Sequence, residues 1–308
     1  MLLTRLDSEM MPAHFQTAGT LEDTKMKNAT EWIAMLTLVC AGVAPGCALD
    51  ADGDAENVAQ VGDQIIQGAD EAVHSNPNVV AVYHGWPRPC SGTVIDNRRN
   101  WVITAAHCVT EGTNIESAPL PPSSIRLSRQ IAPGLTPPAD AVTPTRVVTH
   151  GVLDLALLEV PGIGGPGGHA LWLAPSSTLL GKTLNCFGYG RFVHNQSPYV
   201  EDGTSGAGRL RRADLPVISF NSTQYEFGSN SVGQILGHGD SGGPSFYWRD
   251  FGVGDWERFI TGVHRNSDSV SSSRDDTIAA GAAWIFQTIG SMLIRRVQVY
   301  QPSRASNH

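Results

Sequence analysis

The chain has 308 residues, 41% hydrophobic and 16% charged, enough for one large domain or two small ones with sizeable cores. Its formal charge of -8 sits almost wholly in residues 1–64, where 3 Lys/Arg face 10 Asp/Glu. The remaining 18 against 19 leave no basic stripe for nucleic acid. The five cysteines form no C-x-x-C pair and no H-E-x-x-H helix occurs, which excludes the familiar zinc arrangements, so no metal or cofactor is expected.

Residues 1–25 are polar and lack clear periodicity. At Met26 the pattern changes: Lys27 gives a positive start, and Trp32 to Val43 is an apolar run of 12 residues. Such a run is too short for a bilayer and suits the core of a signal peptide, which makes residues 1–25 an upstream extension or marks Met26 as the true start. Val43-Ala44-Pro45-Gly46-Cys47 resembles a bacterial lipoprotein cleavage box, with Ala44 where such boxes carry leucine. A lipid anchor on Cys47 and ordinary cleavage after Ala48 both fit. Asp50-Ala51-Asp52-Gly53-Asp54 has the start of a calcium loop, but Ala55 and Val61 stand where that loop needs Gly and Glu. It reads as a solvated acidic linker, and residues 1–64 as leader and propeptide.

From residue 65 the 33 Gly and 19 Pro of the chain favour short strands joined by turns. Val79 to Tyr83, Cys90 to Ile95 and Trp101 to Thr104 are strand candidates, the last two joined as a hairpin through Asp96 to Asn100. Ile125 to Leu127, Thr145 to Thr149 and Asp154 to Val160 continue the series. Pro161 to Gly168 marks a boundary. Thr183 to Phe187, Arg209 to Val217, Ser245 to Trp248 and Phe259 to His264 form a second set, with a long polar loop over Arg191 to Gly208. Ile278, Ala282, Ile285, Ile289 and Leu293 recur at helical spacing and predict one C-terminal helix over 277–296, with Arg295 and Arg296 complementing its dipole. The expected class is all-β with a final helix.

Within the second set lies Gly237-His238-Gly239-Asp240-Ser241-Gly242-Gly243-Pro244. Its glycines permit a tight turn that aims the amides of Gly239 and Ser241 at one point, as an oxyanion hole requires. Ser241 beside them is the nucleophile candidate. A serine hydroxyl needs a base, and the base needs an orienting carboxylate. His107, at the end of the third strand, and Asp154, an acid heading an apolar strand, fill those roles. An acid in that place is a poor core residue unless paired.

These stretches resemble the motifs of the chymotrypsin-like serine peptidase family. Thr104-Ala105-Ala106-His107-Cys108 is similar to the family's histidine motif, Asp154-Leu155-Ala156-Leu157-Leu158 to its aspartate motif, and Gly239-Asp240-Ser241-Gly242-Gly243-Pro244 to its serine motif. Their order is the family's order. Phe187-Gly188-Tyr189-Gly190 and Leu215-Pro216 resemble weaker landmarks. The resemblance, over about 65–308, implies two six-stranded antiparallel barrels, the first about 65–160 and the second about 169–276. The site lies in the cleft between them. It implies a Cys90–Cys108 disulfide tying the hairpin that carries His107, and an oxidising compartment. It also implies a zymogen: Ile65-Ile66-Gln67-Gly68 looks like the family's mature N-terminus, whose new amine would bury itself against Asp240. Gly237 departs from the family where many relatives have a bridged cysteine, and Cys186 is left as an unpaired, buried thiol.

The resemblance also places a primary pocket. The residue six before the nucleophile, Ile235, would lie at its base, followed by Leu236, with His238 from the same turn beside it. Basic-specific relatives have an aspartate there, so Ile235 disfavours Lys and Arg. An uncharged or medium apolar substrate residue is expected, with glutamate as the alternative because His264 falls where glutamate-specific relatives carry histidine. The expected function is an exported serine endopeptidase acting as a monomer on protein or peptide substrates. Its expected location is secreted or periplasmic, or the outer membrane if Cys47 is lipidated. The alternative is a catalytically silent or permanently latent binding protein on the same fold.

Overall fold

A computed structural model describes residues 65, 69–70, 78–85, 89–96, 100–131, 133–164, 169–190, 207–250, 256–267 and 271–290. The chain divides into units Met1–Asn57 and Val58–His308, and every described residue falls in the second. The signal-like run, Cys47, the Asp50–Asp54 stretch, Gln64, residues 66–68, residues 191–206, Leu293, Arg295 and Arg296 lie outside the described residues.

The first sheet contains β2 (Val79–Tyr83), β3 (Cys90–Asp96), β4 (Trp101–Thr104), β5 (Arg126–Ser128), β6 (Arg146–Thr149) and β7 (Ala156–Glu159). The order is β5-β2-β3-β4-β7-β6, with antiparallel neighbours throughout. A bridge from Leu127 to Val142 joins β5 to the segment leading into β6, curling the sheet toward closure. β2 and β4 are buried at every residue, because valine and isoleucine runs suit a pleated surface packed on both faces.

The second sheet has eight strands. β9 (Thr183–Gly188), β10 (Arg211–Phe220), β11 (Gln224–Gly228), β12 (Pro244–Asp250), β13 (Trp256–Ser267) and β14 (Ser272–Thr277) form its body. β9 pairs with both β12 and β10, so these strands close into a ring. β8 (Ala170–Leu171) adds to β13 in parallel. β1 (Ala69–Asp70) pairs with β10. The start of the folded region, expected in the first barrel, thus joins the second by pairing.

The α1 helix (Ile278–Ile289) follows, with the Thr277 hydroxyl accepting from the Ala280 amide as N-cap and Gly290 at the C-cap. Its buried stripe is Ile278, Gly281, Ile285 and Ile289. Gly281 rather than Ala282 makes the closest approach, since a Cβ there would lie 2.5 Å from Leu155 Cδ1. The helix thereby docks on the segment that carries Asp154. His150 meets Trp284 of the helix edge-on, with ring centroids 5.1 Å apart. No described helix is long and apolar enough to cross a membrane. The fold is the all-β, two-barrel architecture with one C-terminal helix.

Candidate active site

A cavity of about 350 Å³ is lined by His107, Asp154, Leu236, Gly237, His238, Ser241, His264 and Arg265, among others. His107 sits in a single 3-10 turn, Ala106–Cys108, directly after β4. The Cys90–Cys108 disulfide, closed over 18 residues, ties this turn to the start of β3. His107 Nδ1 bonds Asp154 Oδ2 at 2.6 Å, and the His107 backbone amide donates to Asp154 Oδ1 at 2.8 Å. Two bonds from one residue fix the carboxylate plane against the ring. Asp154 is buried at 2% exposure, while the His107 side chain keeps 22% and faces the cavity. Burial and the nearby His107 hold His84 down to about 4, so it brings no positive charge to the ring at neutral pH.

The glycines around Ser241 are explained by close packing. A Cβ on Gly242 would lie 2.2 Å from both Ser91 O and Thr104 Oγ1, and one on Gly243 would lie 2.2 Å from Phe187 O. Gly188 and Gly190 make room for the Asp240 carboxylate, which a Cβ would approach to 2.1 and 2.6 Å. Ser91, a residue that motif reading passed over, pins the turn from the first barrel. Its amide donates to Ser241 O at 2.8 Å and its hydroxyl to Gly239 O at 3.0 Å, while it accepts from the Tyr189 amide. Alternation along β3 gives no sign of this, because the contact depends on the partner barrel.

Within the turn, the Asp240, Gly242 and Gly243 amides donate to Gly237 O, His264 O and Asp240 O. The Gly239 and Ser241 amides make no hydrogen bond among the described residues. Gly239 has φ 99, a conformation that glycine adopts without strain. Such a pair of open donors can receive a negative oxygen.

Asp240 is buried, its carboxylate accepting from the Gly237 amide at 2.7 Å and the Gly190 amide at 2.9 Å. Burial pushes its carboxyl up to about 6, against the pull of those amides, His264 and Arg211. No cation reaches it at ion-pair distance among the described residues. Ile65 is 1% exposed and packs in the second-barrel core together with Ile235 and Leu236.

The primary pocket differs from expectation. Ile235 is fully enclosed in that core and does not line the cavity; Leu236 does. Leu236, 2% exposed and part of the same core, is the one of the two that also borders the cavity. His264 borders the cavity with its side chain buried at 2% exposure. Its backbone pairs with the turn that carries Ser241, donating to Gly243 O and accepting from the Gly242 amide. Its Nδ1 bonds Asp275 Oδ1 at 2.7 Å, directly across the β13–β14 register. The other Asp275 oxygen accepts from the Ser245 and Tyr225 hydroxyls, and Thr261 completes a fully buried network. Against all this, His264 Nε2 has no partner. His238 is exposed on the cavity rim.

Cys186 is a free, buried thiol raised well above its ordinary value by burial, so it is unreactive. Cys90, His107 and Cys108 present ligand-type atoms within 4.8 Å of one another, but both sulfurs are committed to the disulfide.

Two β-barrel sheets with a C-terminal helix define the chymotrypsin-like serine peptidase class. A trypsin-like peptidase domain matches residues 90–251, more than half of the chain, which therefore belongs to that family. Kallikrein-15 from Homo sapiens is 26% identical over 218 residues, covering 62% of this chain and 78% of the kallikrein. The matched domain contains Cys90, His107, Asp154 and Ser241, and ends before His264.

Proposed function

We propose that the protein is an exported serine endopeptidase in which Ser241, His107 and Asp154 act as nucleophile, base and orienting carboxylate. The observation that carries this is the two-point His107–Asp154 contact in one cavity with Ser241. Ser241 Oγ attacks the scissile carbonyl and passes its proton to His107 Nε2. The negative oxygen takes the Gly239 and Ser241 amides. The C–N bond then breaks, and His107 returns the proton to the leaving amine. Water repeats the cycle on the acyl-enzyme, while Asp154 steadies the imidazolium. Among the described residues Ser241 and His107 share the cavity without a direct hydrogen bond, and no cation lies at ion-pair distance from Asp240. Both fit a precursor that matures by cleavage before Ile65. The signal-like run before Cys47 supports export, with secretion, periplasmic residence or a lipid anchor at Cys47 as routes. The test is fluorophosphonate labelling of the matured protein, followed by peptide mapping. An adduct on Ser241 is expected. Labelling unchanged in Ser241→Ala sinks the assignment, and a matured wild-type protein that takes no label favours the silent-binder alternative.

The cavity also favours an acidic residue before the scissile bond over the uncharged one expected from Ile235. His264, held by Asp275 through Nδ1, borders the cavity, and Arg265 adds a cation on the same wall that a substrate carboxylate can meet. A Lys or Arg side chain would meet the Arg265 cation, while the lining carboxylates of Asp154 and Asp240 are engaged by His107 and by backbone amides. Peptide-library profiling should show Glu preferred, with that preference lost in His264→Ala. A profile dominated by Arg or Lys would overturn this pocket chemistry.

A further inference from the structure

Asp275 and Asp276 are consecutive on β14 and fully buried. Neighbouring residues of a strand face opposite ways. Asp275 turns to His264, and Asp276 turns to the segment carrying Asp154. Asp276 Oδ2 accepts the Asp154 backbone amide at 2.5 Å across 122 residues of sequence. Its Oδ1 accepts from Gln224 Nε2 at 2.8 Å and faces Arg265 NH1 at 3.4 Å. The β13 register shifts between His264 and Asn266, at Arg265. Such a bulge re-aims a side chain, and this one places the guanidinium on the cavity wall with its charge toward Asp276.

We propose that Asp276 is a positioning residue for the site: it fixes the backbone of Asp154, and Arg265 balances its charge from the substrate cavity. A buried carboxylate without such balance is costly. The arrangement links the cavity wall to the base of the His107–Asp154 pair by one ion pair and one hydrogen bond. It rests on the proposed role of Asp154. The charged and titratable groups around Asp276 are Arg265 and His264 on β13, Asp275 beside it, and Asp154 and His150 on the segment before β7. Helix α1 brings no charged side chain. The field of Asp276 is felt locally: burial lowers the His150 pKa, and Asp276 opposes that shift.

The test compares Asp276→Asn and Arg265→Gln in the matured full chain. Removing the anion makes a protonated His107 less favourable, so the acid limb of kcat/KM should move to lower pH by roughly half a unit. Removing the cation should move it to higher pH. In Asp276→Asn, kcat should fall about tenfold or more with little change in KM, because the base is displaced and the substrate contacts stay. A side chain that merely filled space would move neither limb. The downfield proton resonance of His107 Nδ1–H gives a readout independent of turnover, and should shift in both variants. Wild-type kcat with unmoved limbs and an unmoved resonance would overturn the proposal. If Asp276→Asn does not fold, Arg265→Gln, at a one-third exposed position, decides through its limb and its resonance. A wild-type protein without Ser241 labelling would instead refute the functional reading, and the resonance shifts would still test the Asp276 link.

Discussion

In the first barrel the half-site is complete. His107 and Asp154 are locked by two hydrogen bonds, a disulfide closes the hairpin behind them, and Asp154 is the only charged residue fully buried there among the described residues. The second barrel buries Arg211, Asp240, His264, Asp275 and Asp276. One of its carboxyls is pushed up to about 6, and one buried imidazole nitrogen lacks a partner. A neutral interior can be finished by packing alone, whereas buried charge waits for a partner. The difference teaches where control lies. On the proposed reading, the base is set by the fold, and the nucleophile turn and the pocket are left for a cation and a substrate to finish.

The most severe way to break the comparison is Ser241→Ala. It should lower turnover by a factor on the order of 10⁵–10⁶ without moving the unfolding midpoint, and adding His107→Ala should cost little more. Independent, multiplying losses would mean that the two half-sites do not act as one unit. Next comes maturation. A chain blocked by Gln64→Pro should fold but stay about 10²–10³-fold less active, the loss associated with an unformed oxyanion hole. Full activity in that variant would place the waiting half elsewhere.

Stability separates the halves more finely. Cys90→Ser with Cys108→Ser should cost about 3 kcal/mol, since the closed loop spans 18 residues. Hydrogen exchange should quicken in β3 and β4 and stay unchanged in β12 and β13. Uniform quickening would deny that the barrels are distinct.

The smallest effect concerns Asp240. Its folded pKa, about 6, lies above its ordinary 3.8, so the intact chain holds an extra proton between those values. Its contribution to stability therefore falls as pH rises from about 4 to about 6, by at most about 3 kcal/mol. His84 and His169 work the other way. Their folded values of about 4 and 3 lie below 6.5, so their contribution is lost as pH falls. They are common to both forms, so urea unfolding of intact and matured protein across pH 4–7 isolates Asp240. The matured form should lack its downward slope. Identical profiles would argue against an Ile65 amine at that carboxylate.

Much of this was legible in the chain. β2, β4 and β9 announce themselves by β-branched and apolar runs, and the residues brought together in the cleft sit in recognisable motifs. β14 does not, because Ser272–Thr277 has no apolar residue at all. Its aspartates are buried by partners on β11 and β13, and no local pattern reports such partners. Asp276 was hidden for that reason, as was Ser91, whose contacts cross between barrels. Ile235 shows a different limit: the spacing along the chain points to two neighbours, and only packing decides that Leu236 rather than Ile235 borders the cavity.

The docking of α1 and Asp276 on the Asp154 segment also sets a schedule. Synthesis proceeds at about 5–20 residues per second, so the partner of the Asp154 amide emerges on the order of ten seconds after Asp154 itself. Gly281, which seats against Leu155, comes later still. Over that interval the growing chain holds its histidine and its disulfide cysteines but not the carboxylate and helix that seat Asp154. A nascent chain thus cannot yet seat Asp154, and this condition comes before, and apart from, the cleavage proposed at Ile65.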